Sequence, residues 1–158
     1  MEIGNELADI YKKTIEETLG LVANVDDEGD IRFRHPDLGT FYISLDAVND
    51  PEFLTLYYPA FVDVKCGLNE EQLRVICNQT NAKCKGAKLF VANNEDHDVH
   101  ASLQMLVALP GEIPSKEYLS ATLMRALSMI KNSVTNFAVE AKKTLEPISE
   151  LPTNLLVH

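Results

Sequence analysis

The segment Asp96-His97-Asp98-Val99-His100 holds the groups that acid/base chemistry uses. An imidazole beside carboxylates titrates upward toward neutrality, where proton transfer is most useful. A small hydrolase, metal-dependent or acid/base, would be centred on Asp96, His97, Asp98 and His100. The rest of the chain supplies no nucleophile context for it: there is no Gly-x-Ser-x-Gly elbow, no glycine loop to cradle a phosphate and no His-Glu-x-x-His. A polar hairpin tip accounts for the same residues with fewer requirements.

Cys77, Cys84, His97 and His100 can be drawn as four zinc ligands, since the metal accepts thiolate and imidazole in a tetrahedron. Six residues separate the two cysteines, where structural sites use about two to four. On a strand, His97 and His100 would also point to opposite faces. Asn24, Asp26, Glu28, Gly29 and Ile31 resemble the early positions of a calcium-binding loop, but the twelfth position is His35 and not a bidentate glutamate. The residues that follow alternate as a strand, so an acidic hairpin turn is the better reading. No metal or cofactor is therefore expected. The three cysteines, Cys66, Cys77 and Cys84, fit no disulfide framework and suit a reducing compartment as small core residues. Cys66, just before Gly67 at an expected strand end, is the one whose reactivity turns on exposure.

Strand alternation assembles a different surface. It places Arg32, Arg34, Tyr42, Ser44, Tyr57, His100, Ser102 and Gln104 on the sheet face opposite the apolar stripes. Any wet sheet face carries such residues, yet tyrosine and arginine are the types that dominate protein contacts. Arg32, Arg34, Tyr42, Tyr57, His100 and Gln104 are accordingly the candidates for partner contact. Whether the face also takes a small ligand depends on pocket depth, a tertiary property.

These side chains need elements to position them. Leu7, Ile10, Tyr11, Ile15 and Leu19 recur at helical spacing between Glu6 and Leu19, with Gly20 as the terminating residue. Residues 21–26, a turn at Asp27-Glu28-Gly29 and the alternating Ile31-Arg32-Phe33-Arg34 read as a hairpin. Pro36-Asp37-Leu38-Gly39 makes a second turn, after which Phe41, Ile43 and Leu45 face one way. Residues 53–64 continue the strand pattern, with Pro59 demanding an edge or a bulge. Asn69, with Glu70, Glu71 and Gln72 behind it, opens a second helix whose buried face is Leu73, Ile76, Cys77 and Thr80. Lys83, Lys85 and Lys88 lie where that helix ends, which complements its dipole. Residues 88–92 and 99–108 then flank the polar turn 93–98. Pro110, Gly111 and Pro114 break the chain before Ser115 caps a long helix with the seam Leu119, Leu123, Ala126, Ile130, Val134, Phe137 and Ala141. The result is an α+β fold: five to six antiparallel strands and three helices, in the order α-β-β-β(-β)-α-β-β-α.

The chain of 158 residues suits one domain, 1–146, followed by an apolar tail, 147–158, expected to pack on the domain or on a partner. Its 24 acidic against 14 basic side chains give a formal charge of −10, which repels nucleic acid and anionic lipid. No apolar run approaches the roughly 20 residues of a membrane helix, and the start lacks a signal peptide's pattern, so a cytoplasmic address is expected.

The element order resembles the class I type III secretion chaperone fold and its bacterial relatives, the YbjN-like family of proposed sensory transduction regulators. The likeness runs over residues 5–145 and rests on Asp26-Asp27-Glu28-Gly29-Asp30-Ile31-Arg32-Phe33, on Ile76-Cys77-Asn78-Gln79-Thr80-Asn81 leading into Ala87-Lys88-Leu89-Phe90-Val91, and on residues 99–107 before the last helix. It implies a small acidic cytoplasmic protein, a homodimer that binds a protein segment or client and catalyses nothing. Through the second helix, it further implies a dimer contact; here that helix turns Arg74, Val75, Asn78 and Gln79 outward, of which only Val75 is apolar.

Overall fold

A computed structural model describes residues 2–62 and 66–146. Its elements run α1 (Glu2–Leu19), β1 (Ala23–Val25), β2 (Ile31–His35), β3 (Gly39–Ser44), β4 (Phe53–Tyr58), α2 (Glu70–Lys83), β5 (Ala87–Val91), β6 (Val99–Leu106) and α3 (Lys116–Leu145). The optional fourth strand of the expected order is present. All six strands form one antiparallel sheet, ordered β1-β2-β3-β4-β6-β5.

Local chemistry explains the turns and ends. Asp26 accepts the amides of Glu28 and Asp30 through Oδ1 at 3.0 and 2.9 Å, and Gly29 takes φ 91°, so the acidic stretch closes as the β1–β2 hairpin turn rather than as an ion-binding loop. At α2 the Asn69 side chain accepts from the Gln72 amide while Gln72 accepts from the Asn69 amide, a complete capping box. Ser115 caps α3 by accepting from the Tyr118 amide. Gly86, between α2 and β5, adopts φ 80° with Met129 Sδ only 2.7 Å from where a Cβ would stand, so no other residue fits without movement.

One boundary differs from the expected strand over residues 53–64. β4 stops at Tyr58, because it runs between β3 and β6 and Pro59 has no amide to give the ladder. Ala60 turns into the left-handed region at φ 46°, and the Phe61 amide then rejoins Val99 at 3.0 Å. Pro59 thus sits in a bulge, one of its two expected settings. Val64 lies outside the described residues, as does the expected C-terminal tail from Pro147 through Pro152 to His158.

The helices share one side of the sheet: α1 lies on β1 and β2, α2 on β5, and α3 on β5 and β6 while also contacting α1 and α2. Between the layers sits the core, with Tyr11, Ile15, Ile31, Phe33, Phe41, Ile43, Leu54, Leu56, Leu119 and Leu123 essentially without solvent contact. Phe33, Phe41 and Tyr58 stack in series across β2, β3 and β4. Cys77 is buried as expected, and its environment pushes the thiol up to about 11. Cys66 and Cys84 are only half-buried, the first in the loop before α2 and the second as the C-cap of that helix, so two of the three cysteines border the core instead of filling it. Among the described residues no helix is long and apolar enough to cross a membrane.

Candidate functional site

With the helices all on one side, the other face of the sheet carries no covering layer among the described residues. Period-two alternation turns every second side chain onto it, and the antiparallel register orders those side chains into rows. One row crosses five strands: Arg32, Tyr42, Tyr57, Ser102 and Lys88 stand opposite one another in succession. Next along the strands comes Ser44, Thr55 and Gln104, and then Phe53 opposite Leu106. On the other flank Phe90 faces His100.

The register brings three aromatic rings together. Tyr57 Oη and His100 Nδ1 share a hydrogen bond at 2.5 Å, Phe90 stacks on the imidazole with centroids 5.6 Å apart, and Tyr57 lies 6.4 Å from Phe90. Burial lowers the pKa of His100, with the Asp98 carboxylate pulling the other way, and burial followed by Asp98 raises that of Tyr57. Both groups are therefore neutral near pH 7. Such a cluster is a mostly apolar plate with a polar edge.

Two hollows adjoin the plate. The larger, about 520 Å³, is walled by Tyr42, Tyr57 and Pro59 with Asp30, Ser44 and Thr55. The second, about 370 Å³, shares Ser44 and Thr55 and extends to Asp46, Asp50, Phe53 and Gln104. Together they form a trough along β3 and β4. The expected contact residues fall as follows: Arg32, Tyr42 and Tyr57 share a row, His100 joins Tyr57, Gln104 stands one row away in the second hollow, and Arg34 lies farther along β2 opposite Thr40. Phe90, Asp30, Thr55 and Pro59 belong to the same surface and were not among the candidates. Phe90 was readable, since β5 alternates outward Lys88 and Phe90 with buried Ala87, Leu89 and Val91.

The alternative centre does not assemble. His97, at φ 51° in the β5–β6 turn, reaches toward Glu70 on the first turn of α2, with Nδ1 3.5 Å from the carboxylate. His100 points to the open face and bonds Tyr57, while Asp98 accepts from Asn94. Asp96 and His97 border a separate hollow of about 380 Å³ floored by Leu68 and Leu73. Among the described residues no three His, Cys, Asp or Glu side chains converge as metal ligands; Cys77 lies in the core and Cys84 at a helix end.

The edges of the sheet are not equally open. Asn81 on α2 donates from Nδ2 to the Leu89 carbonyl at 2.9 Å and accepts the Leu89 amide at 2.8 Å, so one side chain takes the place of a neighbouring strand on β5. β1, at the other edge, has three residues.

No family model matches the sequence, and no curated protein matches it. The solved structures similar to it include two. One is YbjN from E. coli, a proposed transcription regulator, at 12% identity and TM-score 0.58 over 85% of this chain and 92% of that one. The other is the ExsC-ExsE complex, at 17% identity and TM-score 0.46 over 95% of this chain and 100% of that one. The likeness to YbjN establishes the fold, and the resemblance drawn from the sequence holds at that level.

Proposed function

We propose that this chain, built on the fold of YbjN, is a non-enzymatic protein-interaction module, chaperone-like or regulatory, that binds a protein segment on the open face of its sheet. The observation that carries the reading is the uncovered row Arg32, Tyr42 and Tyr57 with the plate of Tyr57, His100 and Phe90 beside it. Aromatic and arginine side chains held in fixed positions are the usual anchors of protein recognition. The formal charge of −10 favours a protein partner over nucleic acid or an anionic membrane. The blocked β5 edge favours docking on the face over addition of a strand at that end.

A photo-reactive benzophenone side chain placed at Gln104, on the open face, tests this in living cells against the same group at Val139, an exposed position on α3. The reading predicts a discrete protein adduct from position 104 and none from position 139. Adducts of equal yield from both, or none from position 104, would contradict it. Dimerisation belongs to the same proposal, and light scattering on the purified chain gives its mass.

A further inference from the structure

The chemistry of the bound segment can be narrowed from what lines the trough. Its two hollows carry three carboxylates, Asp30, Asp46 and Asp50, and among the described residues no lysine, arginine or histidine. Ion pairs elsewhere hold Glu17 by Lys116, Glu70 by Arg74, Glu140 by Lys83 and Lys143, and Glu146 by Lys142, while most other acidic groups among the described residues have none. None of the three trough aspartates has such an ion pair among the described residues. The walls above them are Tyr42 and Tyr57, whose ring faces attract a cation as well as the aliphatic stem that carries it. Beside Asp46 and Asp50 the floor becomes apolar, with Phe53 opposite Leu106, and a further hollow of about 440 Å³, which Glu112 also borders, continues it past Leu106, Leu109 and Tyr118.

Resting on the reading of the open face as a partner site, we infer that the segment bound there is basic and extended. Lysine or arginine side chains would lie across Tyr42 and Tyr57 toward Asp30, Asp46 and Asp50, and apolar side chains would follow onto Phe53 and Leu106. The strand repeat of roughly 7 Å for every two residues sets the spacing: the Tyr57, Thr55 and Phe53 rows are successive steps of that length, so the basic and apolar side chains stand two to four residues apart in an extended segment. An acidic partner would meet like charge at Asp30, Asp46 and Asp50, and Arg32 and Lys88, basic side chains of the same face, stand outside the two hollows.

The test uses the full chain and two synthetic decapeptides, one of alternating lysine and leucine and one of alternating glutamate and leucine. Binding is followed by amide chemical shifts and by calorimetry at two salt concentrations. The lysine peptide is expected to bind, to move the amides of β3 and β4, and to weaken as salt rises. The double variant Asp30→Asn/Asp50→Asn keeps the acceptor that Leu45 uses on residue 30 and should weaken binding about fivefold or more. The control Glu6→Gln/Asp9→Asn removes the same charge from exposed positions on α1 and should change it less than twofold. Equal weakening by the two variants would reduce the effect to net charge and overturn the inference. So would binding of the glutamate peptide to the same strands, although that result would leave the sheet-face reading standing. Shifts confined to the helices, or binding of neither peptide, would overturn both.

Discussion

At the scale of residues, Tyr57 and His100 are the pair on which the open face is organised, and they illustrate what alternation can and cannot convey. Both were assignable to the outward face from period two alone. Their hydrogen bond was not, because it joins positions 43 apart in sequence and depends on which strand lies beside β4. The pair has a consequence for stability. Burial holds the folded pKa of His100 below its ordinary 6.5, so the unfolded chain binds the proton more readily. The stabilisation from the neutral ring is then complete above about pH 6.5 and is lost as pH falls through the folded value. The lowered carboxylates of Glu70 and Glu140 act in the same direction, but only near and below the ordinary glutamate value of 4.5. Urea titrations at pH 7 and pH 5 should therefore show a fall in midpoint that is smaller in His100→Gln than in the parent. An identical fall in both proteins would remove His100 from the account.

At the scale of elements, most of the architecture was legible because the signals were local. The α2 capping box, the seam of α3 and the acidic β1–β2 turn all stand where their residue types require. Phe137 and Ile130 are buried as their spacing demands, whereas Val134 is half-buried and the neighbouring Ser133 is buried, a rotation of the seam that helical period alone does not resolve. Pro59 announced an interruption, but whether by edge or by bulge depended on the neighbours of β4. The Asn81 clasp on β5 was invisible, since nothing in Asn78-Gln79-Thr80-Asn81 says which amide lies against a strand edge. Its role can be measured. Asn81→Ala strips both hydrogen bonds from the Leu89 backbone and should cost about 1–3 kcal/mol. It should also expose the β5 edge, so that the variant associates with rising concentration in light scattering. A variant of parental stability that stays at the parental mass at every concentration would show that the clasp neither holds nor guards the edge.

At the scale of the whole molecule, function follows from the asymmetry of two layers: three helices on one side of a six-stranded sheet and no cover on the other among the described residues. The strand order is the part that sequence could not supply. β6 inserts between β4 and β5, and that crossover brings Ser102 and Gln104 beside Tyr57 and Thr55, and Leu106 beside Phe53. Alternation predicted a polar face, while the hollows, the aspartates that line them and the Phe90 plate came only with the register. The formal charge of −10 was legible throughout, but its local expression was not: Asp30, Asp46 and Asp50 gather at one trough from a hairpin turn and an inter-strand loop. The most direct test of the central claim is hydroxyl-radical footprinting of this chain inside cells and as purified protein, read at individual side chains by mass spectrometry. Met124, exposed on α3 on the helical side of the sheet, serves as the internal reference. If the sheet face is the partner site, oxidation of Tyr42 and Tyr57 will fall in cells relative to the purified chain while that of Met124 stays the same. Undiminished oxidation of Tyr42 and Tyr57, with or without protection of Met124, would contradict it.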